Sequence, residues 1–119
     1  MNSNILQTIF KNGGIILNND LTTKTDLKYV SSLKGYEFVE ELKTLTIKKF
    51  LEIIEEKRLK AVELNCLIDC WINKGTIYID LSHNFNDLND CLAFGKENEQ
   101  ISIFDNAKME NVMINYPNL

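Results

Sequence analysis

Apolar and polar positions alternate most clearly over Leu64–Ser82, LNCLIDCWINKGTIYIDLS. Leu64–Ile72 and Ile77–Leu81 are rich in β-branched and aromatic residues, with Asn73-Lys74-Gly75 between them, which predicts a β-hairpin. Its register can be read from the two faces, because successive side chains on a strand point to opposite sides. A three-residue loop pairs Ile72 with Thr76 and mixes Tyr78, Asp80 and Ser82 with Ile68, Cys70 and Ile72. An even loop pairs Ile72 with Ile77. It gathers Leu64, Cys66, Ile68, Cys70, Ile72, Ile77, Ile79 and Leu81 on one face, and leaves Asn65, Leu67, Asp69, Trp71, Tyr78, Asp80 and Ser82 on the other. The even loop sorts apolar from polar better, and Gly75 supplies a residue able to take positive φ in the turn. Trp71 then faces Tyr78, an attractive cross-strand pair, and Asp69 faces Asp80, a repulsive one. A nearby cation or a shared proton would relieve the repulsion.

The rest of the chain reads around this hairpin. Ile5–Phe10 suggests a short helix or a loose arm, and Gly13–Leu17 a short strand. Asn18-Asn19-Asp20 marks a turn, and Leu21–Ser32 is polar enough to read as a loop with at most a helical turn. Gly35–Val39 alternates and reads as a second strand, running on towards Leu42; the two glycine-led strands could pair. Thr46–Lys60 is the clearest helix, with Ile47, Phe50, Leu51, Ile54 and Arg58 at helical spacing, Thr44 or Thr46 as cap, and acids and bases over Glu52–Arg58 placed for i,i+4 pairing. Asn86-Asp87 caps a second helix, Leu88–Glu97, whose small residues Cys91, Ala93 and Gly95 suit close packing. Gln100–Phe104 and Glu110–Ile114 read as strands, and Tyr116–Leu119 as a tail. The order predicts an α+β fold: a mainly antiparallel sheet of five to six strands with two helices packed on one face, in a single domain over residues 1–119.

Composition narrows the function classes. The chain has 119 residues, 45% hydrophobic and 25% charged, an ordinary globular balance. No apolar run approaches the ~18 residues of a membrane span. The stretch MNSNILQTIFKN has no basic n-region or small-residue cleavage site, so the cytoplasm is the expected location. A net charge of −4 argues against direct nucleic-acid binding and suits a protein that competes with nucleic acid for a basic surface.

Candidate chemistry is sparse. Cys66 and Cys70, four apart on a strand, stand roughly 13 Å apart, too far for a disulfide. With Cys91 they read as reduced core thiols, and the sole imidazole, His83, leaves zinc without a convincing ligand set. His83 reads as a surface residue in a turn after the hairpin. No phosphate loop, catalytic triad or cofactor motif is legible, so no cofactor is expected. Asp69 and Asp80, helped by Asp105, could hold a divalent cation or act as an acid–base pair; alternatively, they lie on a solvent face with lysine partners. Trp71 and Tyr78 beside them would make a protein-binding patch unless a loop, such as Asp20–Leu33, covers them.

Two runs carry a family resemblance. They are Trp71-x-x-x-Gly75-x-x-Tyr78-x-Asp80-x-Ser82 and Leu92-x-x-Gly95-Lys96-x-Asn98-x-Gln100-Ile101-x-Ile103-Phe104-Asp105, with Gly13-Gly14 and Gly35-Tyr36-x-x-Val39 upstream. Together they resemble a pattern in small proteins of phages, plasmids and integrated elements, and they cover Gly13 to about Ile114. The chain departs from that pattern at Ser102, where a small apolar residue is usual. The resemblance implies a genomic setting and no catalytic residues. Together with the acidic charge it leads to the expectation of a non-enzymatic binding protein that blocks a host defence enzyme, of anti-CRISPR or anti-restriction type; the hairpin register, not the resemblance, points to Asp69, Trp71, Tyr78 and Asp80 as its contact residues. An immunity protein for a cognate toxin is the second expectation, and a small metal-dependent enzyme using Asp69, Asp80 and Asp105 the third.

Overall fold

A computed structural model describes residues 2–117. In chain order the elements are α1 (Asn2–Asn12), β1 (Gly14–Leu17), β2 (Tyr29–Ser32), β3 (Phe38–Glu41), α2 (Ile47–Leu64), β4 (Leu67–Asn73), β5 (Thr76–Phe85), α3 (Leu88–Glu97), β6 (Ser102–Asp105) and β7 (Glu110–Met113). The class is α+β with antiparallel strands, as expected, but the described residues hold seven strands and three helices rather than five to six and two. The extra helix is α1, which buries Ile5 and Ile9. The extra strand is β2, in the stretch read as loop. Asn118 and Leu119 of the expected tail lie outside the described residues. The chain divides into two compact units, Met1–Lys24 with Tyr36–Leu81 and Thr25–Gly35 with Ser82–Leu119.

The first unit is built on the hairpin. β4 and β5 are joined by Lys74-Gly75 alone, at φ 51° and 79°. Two successive positive φ values define the type I′ turn whose twist matches that of the strands. A two-residue turn sets Trp71 opposite Tyr78 and Asp69 opposite Asp80, the even-loop register. Ile68, Cys70, Ile77, Ile79 and Leu81 on the apolar face are fully buried. Outside the hairpin, β1 pairs with β4 and β3 with β5, both antiparallel. The two glycine-led strands therefore do not pair with each other: each takes a hairpin strand as its partner.

α2 begins where expected. Thr46 caps it, its Oγ1 accepting the Lys49 N–H at 3.1 Å. It runs a turn past Lys60, because Ala61 and Leu64 prolong the apolar stripe of Phe50 and Ile54. Asn65 ends it in the left-handed region at φ 51°, and the Cys66 N–H returns to the Ala61 carbonyl at 3.0 Å. The helix thus takes Leu64, and β4 starts at Leu67. Ile47, expected on the apolar stripe, is 65% exposed in the first turn.

The second unit orders its strands β5-β2-β6-β7, with α3 packed on β2 and β6. Asp87 caps α3, accepting the Asp90 N–H at 3.0 Å. Cys91, Ile103 and Ile114 form its core, with Tyr29, Phe85, Leu88, Leu92, Val112 and Tyr116 around them. Gly95 is held by close packing: a Cβ there would stand 2.7 Å from Ile114 Cδ1 and 3.0 Å from both Ile103 Cγ2 and Ser31 Oγ. Ala93, expected to pack likewise, is exposed. His83 is not in a turn. β5 continues through it to Phe85, and its half-buried ring meets Phe94 edge-on at 5.3 Å. The strand persists because Ser82–Phe85 find a partner in β2, with Ser31 opposite His83.

Candidate functional site

The face of the hairpin opposite the buried isoleucines carries the expected contact residues, all within the first unit. The strand registers lay out a row across four strands: Gly14 on β1, Trp71 on β4, Tyr78 on β5 and Val39 on β3. The Trp71 and Tyr78 rings stack at 4.1 Å between centroids with 9° between planes. Trp71 is 38% exposed and Val39 47%, so no loop seals the row. On one side it is followed by Thr76 opposite Glu41, and Glu41 is exposed. On the other side lie Ile16 opposite Asp69, and Asp80 opposite Asp69 across the hairpin. An aromatic and aliphatic stripe thus runs between acidic flanks.

The acids do not share the stripe's exposure. Asp80 is only 5% exposed and Asp69 is half-buried, which corrects the expectation of two carboxylates on a solvent face. Asp80 lies one residue beyond the last β3 pairing, Phe38 with Ile79, where Lys57 of α2 acts on it electrostatically. Lys57 lies between Ile54 and Ala61 on the buried stripe of its helix, and its Nζ donates to the Tyr36 carbonyl. Burial pushes the Lys57 ammonium down; the charges of Asp80, then Glu56 and Glu37, pull it back up. The Leu81 N–H donates to Asp80 Oδ1 at 3.0 Å. Asp69 is pushed up to about 7, first by burial and then by the Asp80 charge. The facing carboxyls therefore meet their repulsion in two ways: a lysine beside Asp80, and a proton retained on Asp69 into the neutral range.

The alternative chemistries find less support. Asp105 belongs to the second unit, where its Oδ1 accepts the Ala107 and Lys108 N–H groups at 3.1 and 3.2 Å in the β6–β7 turn. Among the described residues no three His, Cys, Asp or Glu side chains are grouped so as to hold a metal ion. Cys66, Cys70 and Cys91 are buried and unpaired. Burial raises all three thiols, Cys91 to about 12, so none is an activated nucleophile. Among the described residues no helix is long and apolar enough to cross a membrane.

Three members of the site escaped the sequence reading: Val39, Gly14 and Lys57. Val39 carried a signal, since adjacent Phe38 and Val39 in one strand must point to opposite faces, which puts one of them outward. Gly14 and Lys57 carried none; their roles come from partners far away in sequence. No family model matches the chain, and no curated protein or solved structure does either.

Proposed function

We propose that the chain is a binding protein of a mobile element that acts in the cytoplasm by covering the working surface of a host defence nuclease, in the manner of anti-CRISPR and anti-restriction inhibitors. One observation carries the binding reading: the row Trp71–Tyr78–Val39, laid across neighbouring strands with Trp71 and Val39 exposed and Tyr78 half-buried between them. A stacked aromatic pair is costly to leave in water and is rigid enough to meet a partner with little ordering. The exposed Glu41 at one flank, on a chain of net charge −4, favours a partner whose own surface is basic, as a nucleic-acid-binding groove is. The setting and the defence target rest on the family resemblance given above.

Affinity capture from a bacterial host lysate, run side by side with wild-type protein and with Trp71→Ala, tests the reading. It requires a nuclease recovered by the wild type and lost with the variant. Recovery of the same nuclease by both forms would place the contact elsewhere.

A further inference from the structure

The aromatic row is lopsided. One face of the Trp71 ring lies against Tyr78, across the β4–β5 hairpin. The opposite face is turned towards β1, where the paired residue is Gly14. On the far side of Tyr78 the corresponding place is taken by Val39. No other residue fits at 14 without displacement: a Cβ there would come within 3.0 Å of the Cys70 carbonyl oxygen and 3.2 Å of Trp71 Cβ. β1 therefore sets no side chain beside the outer edge of the pair, and Trp71 keeps 38% of its surface open to solvent.

The next row supplies a charge. Ile16 follows Gly14 on the same face of β1, paired with Asp69. Rows two residues apart on a strand are separated by roughly 6.5 Å. A side chain entering over Gly14 would thus find an indole plane beside it, an aliphatic residue ahead, and a carboxyl one row on. The influences on that carboxyl are burial and Asp80, both unfavourable to its charge, and no cation among the described residues offsets them.

We propose that the slot over Gly14 seats an arginine of the partner protein, with its guanidinium stacked on the outer face of Trp71 and its N–H groups directed to Asp69. This rests on the hairpin face being the contact surface. Three properties of the slot select arginine. A flat aromatic face favours a planar cation, because the guanidinium stacks where a compact ammonium cannot. A carboxyl at the end of the slot favours a cation over a neutral planar amide, and its two oxygens match the guanidinium fork. The half-buried Ile16 gives the methylene stem an apolar wall. A permanently charged guanidinium would also take over the part now played by the proton on Asp69.

The probe is the peptide acetyl-Gly-Arg-Gly-amide, titrated against full-length protein and read at the indole N–H of the single tryptophan by NMR. The matched peptides carry lysine, which has charge without a plane, and citrulline, which has a plane without charge. The arginine peptide should shift the indole signal saturably and bind about two- to fivefold more tightly than either control. Asp69→Asn should remove the preference over citrulline while the backbone amide spectrum stays folded. Equal affinity for arginine and citrulline, or an arginine preference unchanged in Asp69→Asn, would overturn the assignment. The two readings fail separately. Loss of arginine preference with a partner complex that still requires Trp71 sinks the slot alone. A partner complex that survives Trp71→Ala sinks the contact surface itself.

Discussion

Replacing Asp69 with Asn removes one ionisable carboxyl from the hairpin while keeping its size and hydrogen-bonding capacity. Asp69 sits half-buried opposite Asp80, and its carboxyl is raised from 3.8 to about 7. Between those values the folded chain keeps a proton that the unfolded chain has lost. A carboxyl raised in this way contributes stability that is full below the unfolded value and is lost as pH rises through the folded one. The wild type should therefore lose stability from about pH 4 to about pH 7 and level off above. A shift of about three units, at about 1.36 kcal/mol each, sets an upper figure of about 4 kcal/mol. From about pH 5 to about pH 8 the loss should be about 2–3 kcal/mol, somewhat less where solvent screens the exposed part of the carboxyl. Urea unfolding at the two pH values measures it, with the slope on denaturant checked for constancy. His83, lowered by burial, works in the opposite direction and is common to both proteins, so the difference between wild type and variant isolates Asp69. In Asp69→Asn the acid-side advantage should vanish. The same pH dependence in both proteins would refute the coupled-carboxyl account of the hairpin.

Two further substitutions test the scaffold. Gly95→Ala places a methyl against Ile114, Ile103 and Ser31 under α3, and should destabilise the chain by about 1–3 kcal/mol in the same unfolding assay; a neutral result would mean that α3 stands further from its strands than described. Lys74→Asn gives the β4–β5 turn the Asn-Gly sequence that type I′ geometry favours at φ 51° and 79°, and should stabilise by about 0.5–1 kcal/mol; a loss of stability would argue against that turn, and with it the register.

The hairpin was legible because two independent signals agreed: alternation along both strands, and a glycine in a turn of even length. The caps of α2 and α3 were legible because Thr46 and Asp87 act within three residues of themselves. What escaped was set by partners distant in sequence. Tyr29-Val30-Ser31-Ser32 has too little apolar character to announce a strand, and it becomes one by pairing with β5 and β6. Lys57 was read with its neighbours as part of a solvated i,i+4 pattern. Arg58 does pair with Glu55 on that surface, but Lys57 points inward to the Tyr36 carbonyl and the field of Asp80. The expected exposure of Asp80 failed for the same reason: alternation tells which face a residue is on and nothing of what covers it. Within the site, the stacked pair followed from register alone, whereas its extension to Val39 and the bare slot at Gly14 needed the two outer strands.

The proposed surface through which this chain binds a protein partner is the Trp71–Tyr78 face. The most direct measurement is size exclusion of the purified protein, as wild type, Trp71→Ala and Tyr78→Ala, with a nuclease recovered from host lysate by the wild type. If the face is the contact surface, the wild type forms one stable complex, and either variant elutes separately while retaining the folded amide spectrum. Co-elution of both variants with the nuclease, at the stoichiometry of the wild type, would contradict it.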